Sequence, residues 1–468
     1  MSPQRYLIST LAEYQTVFWS RVGLELQRLG HDVAFISFDD RSTEMLRRDG
    51  FRVFSLSEEP TPSDVSDAAM DKVTGTYGLS DLNFWFSHER FAFGLRDSSV
   101  LRRKLLHALF LTSRACVEWA PAGNALLVQE LGGFLSVIGS YFAARKHGLD
   151  NWFIEPSFFR GRLFFLRNSF AAMSFTGELP GSVSNDVYEY LEKTSLAGTI
   201  VVPQKDQHHY SPVLKKVLNW KNCKRLFVKL ADKYFHGKRQ EFGYLGRHVG
   251  VHLRMLRNSR RLSRYYTTAE KLGHFVYYPL HVPADMALTL RSPQYLDQLA
   301  WIDFLARNVP LTHNIVIKEH PAMIGAIDAH RLIELLDRYD NLFLISPSLN
   351  NYQVLRACDA VVSVNSKSGA EALSLGKPVM VLGDAFYADA PFVDKVKSIA
   401  ELPARLSAVL SECRPMDSDK VKRYFERVWQ RSLPGELYMA DPGNVTQFTG
   451  SLVSATLSAS VVDQPPEL

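Results

Sequence analysis

Four small or polar residues and a lysine stand where a predicted strand turns into a predicted helix. The apolar run Ala360–Val364 predicts the strand, and the helix is predicted to begin near Ala370. A helix N-terminus has unpaired N–H groups and the positive end of the helix dipole, so it is suited to bind an anion such as a phosphate. The residues of this turn are Asn365, Ser366, Lys367, Ser368 and Gly369.

Two interpretations of this turn are open from the stretch alone. In the functional one, Ser366 and Ser368 donate hydrogen bonds, and Gly369 lets a phosphate approach the backbone closely. Glu371, one residue into the predicted helix, would then accept from ribose hydroxyls. In the structural one, Ser368 and Glu371 have the Ser-x-x-Glu spacing of a capping box and only stabilise the helix.

A second polar turn follows the predicted strand Asn314–Ile317 and consists of Lys318, Glu319, His320 and Pro321. Proline ends the strand and fixes the turn, so that His320 can point into a cleft and donate to a phosphate or a leaving group. A single histidine after a strand is more often structural. Two anion-suited turns at the carboxyl ends of strands in the same domain favour one binding site.

These turns depend on the elements around them, which alternate between strands and helices in two regions, 1–195 and 271–415. Such alternation predicts an α/β fold in which parallel sheets carry helices on both faces. The two halves would have a cleft between them. Segment 196–270 is predicted as a basic helical insertion, and 416–468 as a charged helix with a loosely held tail. The main predicted strands are Arg5–Thr10, Asp32–Phe38, Phe51–Leu56, Asn124–Gln129, Trp152–Glu155, Phe275–Tyr278, Asn314–Lys318, Leu342–Ile345, Ala360–Val364 and Val379–Leu382.

Bulk composition bounds the class of protein. A chain of 468 residues is too long for one ordinary core, so two domains are expected. No run reaches about 18 apolar residues, and the start lacks the pattern of a cleavable signal. The four cysteines are far apart, which predicts free thiols in a reducing cytoplasm; they are Cys116, Cys223, Cys358 and Cys413.

Positive charge is concentrated in residues 201–264, which hold eight lysines and eight arginines against three acidic residues, although the whole chain has a net charge of only +5. A basic segment in an otherwise acidic protein indicates an anionic partner. Apolar and aromatic residues interleave with these charges, as in an amphipathic helix at an anionic membrane surface. A solvated helical face is an equal alternative, and nucleic acid is disfavoured because no nucleic-acid-binding motif is present.

The ordered pair KEHP and VVSVNSKSGAEALSLGKPVMVLGDAFY resembles the bacterial capsule polysaccharide biosynthesis family, which includes the Kdo transferases of capsule assembly. The upstream stretch FVYYPLHVPADMALTLRSPQYLDQ is similar to the segment that precedes the His-Pro motif in that family. The resemblance is clearest over residues 275–395 and weaker over residues 124–161.

This resemblance implies a GT-B fold, in which two Rossmann-like domains face a cleft and the C-terminal domain holds most of the nucleotide-sugar donor. It implies that His320 and Pro321 contact the donor phosphate, with Lys318 beside them. It also implies a nucleotide-binding turn and a helix acid for the ribose, formed by Asn365, Ser366, Ser368, Gly369 and Glu371. Lys367 departs from the family pattern, which has a small or apolar residue there, and this leaves the donor open.

Glycosyl transfer also needs a carboxylate from the N-terminal half, as a base or a nucleophile. Glu155, followed by Pro156 after a strand, is the first candidate and Glu130 the second; either could instead be a cap or a solvated loop acid. Asp285 is a further candidate on the donor side. Asp39 and Asp40 are a poor match to a metal-binding DxD pattern, so transfer is predicted to need no metal or other cofactor.

The predicted function is that of a metal-independent glycosyltransferase of bacterial surface polysaccharide synthesis, cytoplasmic and peripheral on the inner membrane. Its predicted partners are a nucleotide-sugar donor, with a CMP-Kdo-like sugar favoured, and a glycan or glycolipid acceptor. One alternative is a nucleotide-sugar enzyme similar to the UDP-GlcNAc 2-epimerases, which needs no acceptor. The other is a non-catalytic assembly or export factor, which would tolerate the loss of His320 and Glu155.

Overall fold

The computed structural model describes residues 3–121, 125–198, 231–232, 236–241, 245–412 and 416–457. Two sheets with helices on both faces account for most of them. The helices are Glu13–Arg28, Asp40–Arg48, Asp67–Tyr77, Leu82–Phe93, Ser98–Trp119, Leu135–Lys146, Asn185–Ala197, Leu245–Leu262, Met286–Thr289, Gln298–Asn308, Ala329–Arg338, Asn351–Ala357, Lys367–Ser374, Leu402–Glu412, Ser418–Gln430 and Pro442–Leu457.

The first domain is built on a seven-stranded sheet. Its strands are β1 (Arg5–Thr10), β2 (Asp32–Ser37), β3 (Arg52–Ser55), β4 (Ala125–Glu130), β5 (Asp150–Pro156), β6 (Arg162–Arg167) and β13 (Leu433–Pro434). They stand in the order β13-β6-β5-β4-β1-β2-β3. Strands β1 to β5 are parallel, which confirms the prediction for this core, while β6 and β13 add antiparallel strands at one edge.

The second domain is built on a six-stranded, fully parallel sheet. Its strands are β7 (Phe275–Pro279), β8 (Asn314–Lys318), β9 (Leu342–Ile345), β10 (Ala360–Ser363), β11 (Val379–Val381) and β12 (Asp394–Lys395). They stand in the order β12-β11-β10-β7-β8-β9. This is the order of a doubly wound Rossmann sheet, and the direction of winding reverses between β7 and β10.

Continuous apolar strands are explained by the burial of both faces of each sheet. In β1, Leu7 packs on one face and Ile8 on the other, and in β7 Tyr277 and Val276 divide in the same way. Successive side chains of a strand point to opposite faces, so a strand covered on both sides must be apolar at every position. The two α/β regions predicted from the sequence follow from this pattern.

The end of the chain returns to the first domain, so the prediction of a loosely held tail after Gly435 is wrong for residues 436–457. Strand β13 pairs with β6, and the helix Pro442–Leu457 packs against the helix Glu13–Arg28. Phe448 is fully buried, with its ring centroid 4.9 Å from that of Phe18. The serines and threonines of this helix suggested a polar segment, but Ser451 is buried and donates to the carbonyl of Pro434 at 2.7 Å.

The basic segment lies mostly outside the described residues, and the predicted helices within 201–230 cannot be compared with the structure. Its described end is the helix Leu245–Leu262, which packs on the helix Ala329–Arg338. Asn258 donates to the carbonyls of Gly325 and Ile327, at 3.0 Å each. The five arginines at 254, 257, 260, 261 and 264 are exposed.

Within the described ranges, no helix is long and apolar enough to span a membrane. Cys116 and Cys358 are buried free thiols, as predicted, and burial raises the pKa of each to about 12. Cys223 and Cys413 lie outside the described residues.

If the tail helix is part of the first core, Phe448→Ala will lower the free energy of unfolding by about 3–5 kcal/mol. The loss follows from removing a fully buried ring that contacts Phe18 and Trp19. Urea unfolding measures it, with Leu457→Ala, at a half-exposed position of the same helix, as the control. Equal small effects of the two substitutions would contradict this role.

Candidate functional site

A cavity of about 220 Å³ opens where the winding of the second sheet reverses. Its walls come from the residues that follow β7, β8 and β10, where a doubly wound sheet is expected to bind a ligand. Nine of the residues that the sequence analysis named therefore line this one cavity. The predicted residues that line the cavity are Lys318, His320, Pro321, Asn365, Ser366, Lys367, Ser368, Glu371 and Asp285.

The helix after β10 begins at Lys367, three residues earlier than predicted. Ser366 is its N-cap and accepts from the N–H of Ser368 at 3.2 Å, so the predicted capping box of Ser368 and Glu371 is wrong. The hydroxyl of Ser363, at the end of β10, accepts from the N–H of Ser366 and fixes the turn. Ser366, Lys367 and Ser368 consequently line the cavity at the N-terminus of this helix.

Gly369 serves the packing of an aromatic residue. A Cβ at this position would lie 2.2 Å from the hydroxyl oxygen of Tyr387. That hydroxyl donates to the carbonyl of Ser366 at 2.6 Å and so holds the turn from behind. This contact explains the need for glycine at position 369 without a ligand, and Gly369 is not among the residues that line the cavity.

Glu371 lies on the fifth residue of the helix and is buried at the base of the cavity. Asn351 donates to its carboxylate at 2.7 Å and to the hydroxyl of Ser368 at 3.0 Å, while Tyr277 donates to Asn351. Burial raises the pKa of Glu371, and the charges of Lys367 and Lys318 oppose that shift. A buried acid between two lysines gives the base of the cavity a net positive charge when all three are ionised.

The two lysines are themselves constrained by burial. Lys318 is almost fully buried and donates to the carbonyl of Leu349 at 2.7 Å. Burial lowers its pKa to about 8, and Glu371 opposes the shift. Lys367 is half-buried with its ammonium 5.3 Å from the ring centroid of Phe158, and burial lowers its pKa as well. An anion bound in the cavity would compensate both desolvated charges.

His320 is held in one orientation by the backbone. Its Nδ1 accepts from the N–H of Ala322 at 3.2 Å, so the neutral ring carries its proton on Nε2. Burial lowers the pKa of His320, with Asp285 opposing and Lys318 adding to the shift. The neutral, donating form is thereby favoured at neutral pH, which suits a donor to a phosphate oxygen.

Glu319, beside His320, is a buried acid that the sequence analysis did not single out. One carboxylate oxygen accepts from the N–H of Gly325 at 2.8 Å, which shapes the turn after β8. Burial raises its pKa to about 7, against hydrogen bonds from Gly325 and Tyr266. The acid therefore titrates close to neutral pH within the cavity wall.

A second chamber of about 140 Å³ lies between the domains and shares Ala287, Asn365 and Lys367 with the first. Glu155, the residue before the last of β5, lines this chamber. Both oxygens of Glu155 accept from Arg291 at 3.0 Å, and Arg291 also donates to the carbonyl of Phe170 at 2.7 Å.

Glu130, the second predicted carboxylate, is not among the residues that line either chamber. It ends β4 and accepts from Gln15 at 3.1 Å and from the hydroxyl of Tyr438. Asp39 caps the helix Asp40–Arg48 by accepting from the N–H of Ser42 at 2.9 Å.

Sequence reasoning missed two polar residues in these walls, His281 and Arg291, and it could not give the hydrogen bonds of a third, Asn365. Asn365 was predicted, but its amide nitrogen donates to the carbonyl of Ala287 and to the hydroxyl of Ser292, leaving Oδ1 buried without a protein partner. His281 Nε2 is likewise buried and unpaired, and burial lowers the pKa of that ring to about 4. Buried polar groups are normally paired, so a water or a polar group of a ligand would satisfy Asn365 Oδ1 and His281 Nε2.

Two Rossmann-like domains that face a cleft, with the anion-suited walls in the second, define the GT-B class of fold. Residues 139–400, more than half of the chain, match the family described as capsule polysaccharide biosynthesis protein. The chain therefore belongs to this family, as its resemblance over residues 275–395 indicated.

One relative is Protein FixF of Sinorhizobium fredii, which is 30% identical over 173 residues, 36% of this chain and 40% of that protein. The matched region thus spans less than half the length of that relative. Thermosulfurimonas dismutans KpsC, a beta Kdo 2,7 transferase, is a similar solved structure at 15% identity and a TM-score of 0.36, covering 74% of this chain and 89% of that one. Anabaena HepE, solved with UDP-glucose, has 11% identity and a TM-score of 0.34, covering 96% and 99%.

The raised pKa of Glu319 predicts a pH-dependent cost of folding. Between about pH 4.5 and 7 the folded protein holds a proton on this carboxyl that the unfolded chain releases, so its contribution to stability falls as pH rises. Glu319→Gln, which keeps an acceptor for Gly325, will therefore gain in unfolding free energy relative to the parent by about 3 kcal/mol across this window.

Urea unfolding at pH 5, 6, 7 and 8 measures the difference. The control is Glu118→Gln, at an exposed acid of the first domain. A difference that stays flat with pH for Glu319→Gln, or that changes equally in the control, would contradict the assigned titration.

Proposed function

We propose that this protein is a glycosyltransferase that moves a sugar from a nucleotide donor to a glycan or glycolipid acceptor in the synthesis of a bacterial surface polysaccharide. The observation that carries the proposal is the cavity after β7, β8 and β10. The N-terminus of the helix Lys367–Ser374, the Nε2–H of His320, the buried Lys318 and the half-buried Lys367 line this cavity. These groups suit a leaving nucleotide phosphate, on which negative charge develops as the glycosidic bond breaks.

In this mechanism the donor phosphate lies against Ser366 and Ser368, and His320 donates to a phosphate oxygen from the opposite wall. Lys318 supplies positive charge from below, where Glu371 and Asn351 fix the base of the cavity. Because helix dipole, imidazole and ammonium groups already stabilise the leaving phosphate, we propose that transfer needs no metal.

We propose an anionic sugar, such as a CMP-activated ulosonic acid of the Kdo type, as the donor. Lys367 supports this choice because it stands on the wall shared by the two chambers, where the sugar would extend from the nucleotide. A sugar carboxylate beside this ammonium would offset the desolvation that lowers its pKa. The lysine that departs from the family pattern thus favours a charged donor.

Glu155 remains the first candidate for the reacting carboxylate because it lies in the inter-domain chamber. Its bidentate pairing with Arg291 would hold it in one orientation, and an acceptor hydroxyl or a sugar would have to replace one of these hydrogen bonds. Glu130 is the second candidate, and its position at the end of β4 places it in the first domain, on the proposed acceptor side.

We also propose that the protein works in the cytoplasm as a peripheral protein of the inner membrane. The described end of the basic segment supports this, since its exposed arginines share the helix Leu245–Leu262 and the following turn with Leu253, a leucine exposed at 59%. Exposed arginines next to an exposed leucine suit anionic lipid head groups or a lipid-linked anionic glycan.

Nucleotide binding separates this function from its alternatives. We expect CMP to raise the melting temperature of the parent protein, and CMP-Kdo to raise it further. Lys367→Met should keep the CMP shift and lose the additional shift of CMP-Kdo. Stabilisation by UDP and UDP-sugars alone would favour a UDP-sugar transferase or a 2-epimerase-like enzyme, and no response to any nucleotide would favour an assembly factor.

Transfer itself is tested by His320→Asn. Asparagine preserves an N-cap acceptor for Ala322 but removes the imidazole donor, so we expect a loss of roughly 100-fold or more in transfer with an unchanged melting temperature. The control is His330→Asn, at an exposed histidine. Normal turnover by His320→Asn in a radiolabelled sugar-transfer assay would refute the role of His320.

Membrane association is tested by replacing Arg254, Arg257 and Arg261 with glutamine. We expect the variant to lose most of its co-sedimentation with vesicles that contain anionic lipid, by about 1 kcal/mol of binding free energy for each arginine. A triple lysine-to-glutamine variant at Lys395, Lys397 and Lys420 is the control for total charge. Unchanged vesicle binding by the arginine variant would show that this face does not contact the membrane.

A further inference from the structure

Two histidines and an aspartate meet at the amino edge of the second sheet, away from the cavity. His274, His313 and Asp359 directly precede β7, β8 and β10, which are neighbours with β7 in the middle. The register pairs Phe275 with Asn314 and Val276 with Ala360, so the three preceding residues reach the same edge. Their convergence follows from the sheet and does not depend on a flexible loop.

The distances between their ligand atoms match those of a metal site. Nδ1 of His274 lies 3.3 Å from both carboxylate oxygens of Asp359, and Nε2 of His313 lies 3.8 Å from Oδ2. One ligand atom from each residue lies within 4.8 Å of the others. Two ligands at about 2.0–2.1 Å from a tetrahedral zinc ion stand roughly 3.3 Å apart, so small side-chain rotations would complete the geometry.

Neighbouring groups already orient two of the three residues. The N–H of Phe275 donates to Oδ2 of Asp359 at 2.8 Å. The hydroxyl of Thr312 lies 2.9 Å from Nδ1 of His313, which leaves Nε2 of that ring directed at the carboxylate. Second partners of this kind fix the tautomer and the direction of metal ligands. His274 is 77% exposed, so the site is open to an ion from solution.

We propose that His274 Nδ1, His313 Nε2 and the carboxylate of Asp359 bind one divalent transition-metal ion, with Zn²⁺ as the expected metal and water at the fourth position. Two imidazoles and one carboxylate are a ligand set that suits Zn²⁺ and Co²⁺. Because the site joins the starts of three central strands at the edge opposite the cavity, the ion would stabilise the second domain and take no part in transfer.

The competing explanation is an ion pair between a protonated imidazole and Asp359 with no metal. His330 and Glu334 form such a pair on the helix Ala329–Arg338, with 3.1 Å between Nδ1 and the carboxylate. That pair has the same two group types in the same domain but, among the described residues, is not part of a three-ligand cluster. It therefore provides a matched control for weak binding of metal by exposed histidines.

The test uses the full chain without a polyhistidine tag, titrated with ZnCl₂ by calorimetry and with Co²⁺ by visible absorption. We expect one ion per chain, the absorption of a four-coordinate Co²⁺ site, and a rise in melting temperature with Zn²⁺. His274→Ala and His313→Ala should each weaken binding at least about tenfold, while His330→Ala should bind as the parent does.

Because His274 is largely exposed, its alanine variant should fold normally, and an unchanged melting temperature without metal would verify this. Failure of the parent to bind Zn²⁺ or Co²⁺ at micromolar concentrations would overturn the proposal. So would binding that the loss of either His274 or His313 leaves unchanged.

Discussion

The ion pair between Arg291 and Glu155 sets the spacing of the two halves of the cleft. Arg291 follows the short helix after β7 and Glu155 belongs to β5, so their two hydrogen bonds join the domains directly. Asp384 strengthens the connection by accepting from the N–H of Ala172 at 2.7 Å. An arginine that is 7% exposed and bidentate is a strong, directional contact, and its guanidinium also meets two carbonyls of the first domain. The shape of the second chamber depends on this contact.

Contact between the two domains also affects the charged residues of the first cavity. Lys318 and Glu371 are buried and Lys367 is half-buried, with Phe158 of the first domain beside Lys367 of the second. A desolvated cluster with more positive than negative groups is costly unless an anion joins it. The protein therefore maintains an unfavourable arrangement of charge at the place where the family resemblance implies a nucleotide phosphate.

Most strands of the two sheets and most residues of the first cavity could be predicted from the sequence, because apolar runs and polar turns are local signals. Strands β1, β8 and β9 have the predicted bounds. The predicted helix start near Ala370 was wrong, and the helix begins at Lys367. The reason is that the turn is fixed by the hydroxyl of Ser363, a residue of the preceding strand. The pairing of Glu155 with Arg291 joins residues 136 positions apart, and no local pattern encodes such a contact. The close contact between Gly369 and Tyr387 was not predicted either, because the two residues are separated along the chain.

The return of the chain to its first domain has a consequence for the order of folding during synthesis. Tyr6 in β1 hydrogen-bonds Thr456 in the last described helix at 3.1 Å, and Phe18 packs on Phe448. The ribosome must therefore complete the whole second domain before the first can complete the core around Phe18 and Trp19. Until then Phe18 and Trp19 would remain accessible to chaperones, and the second domain, whose sheet is contiguous in sequence, would be the first to become fully native.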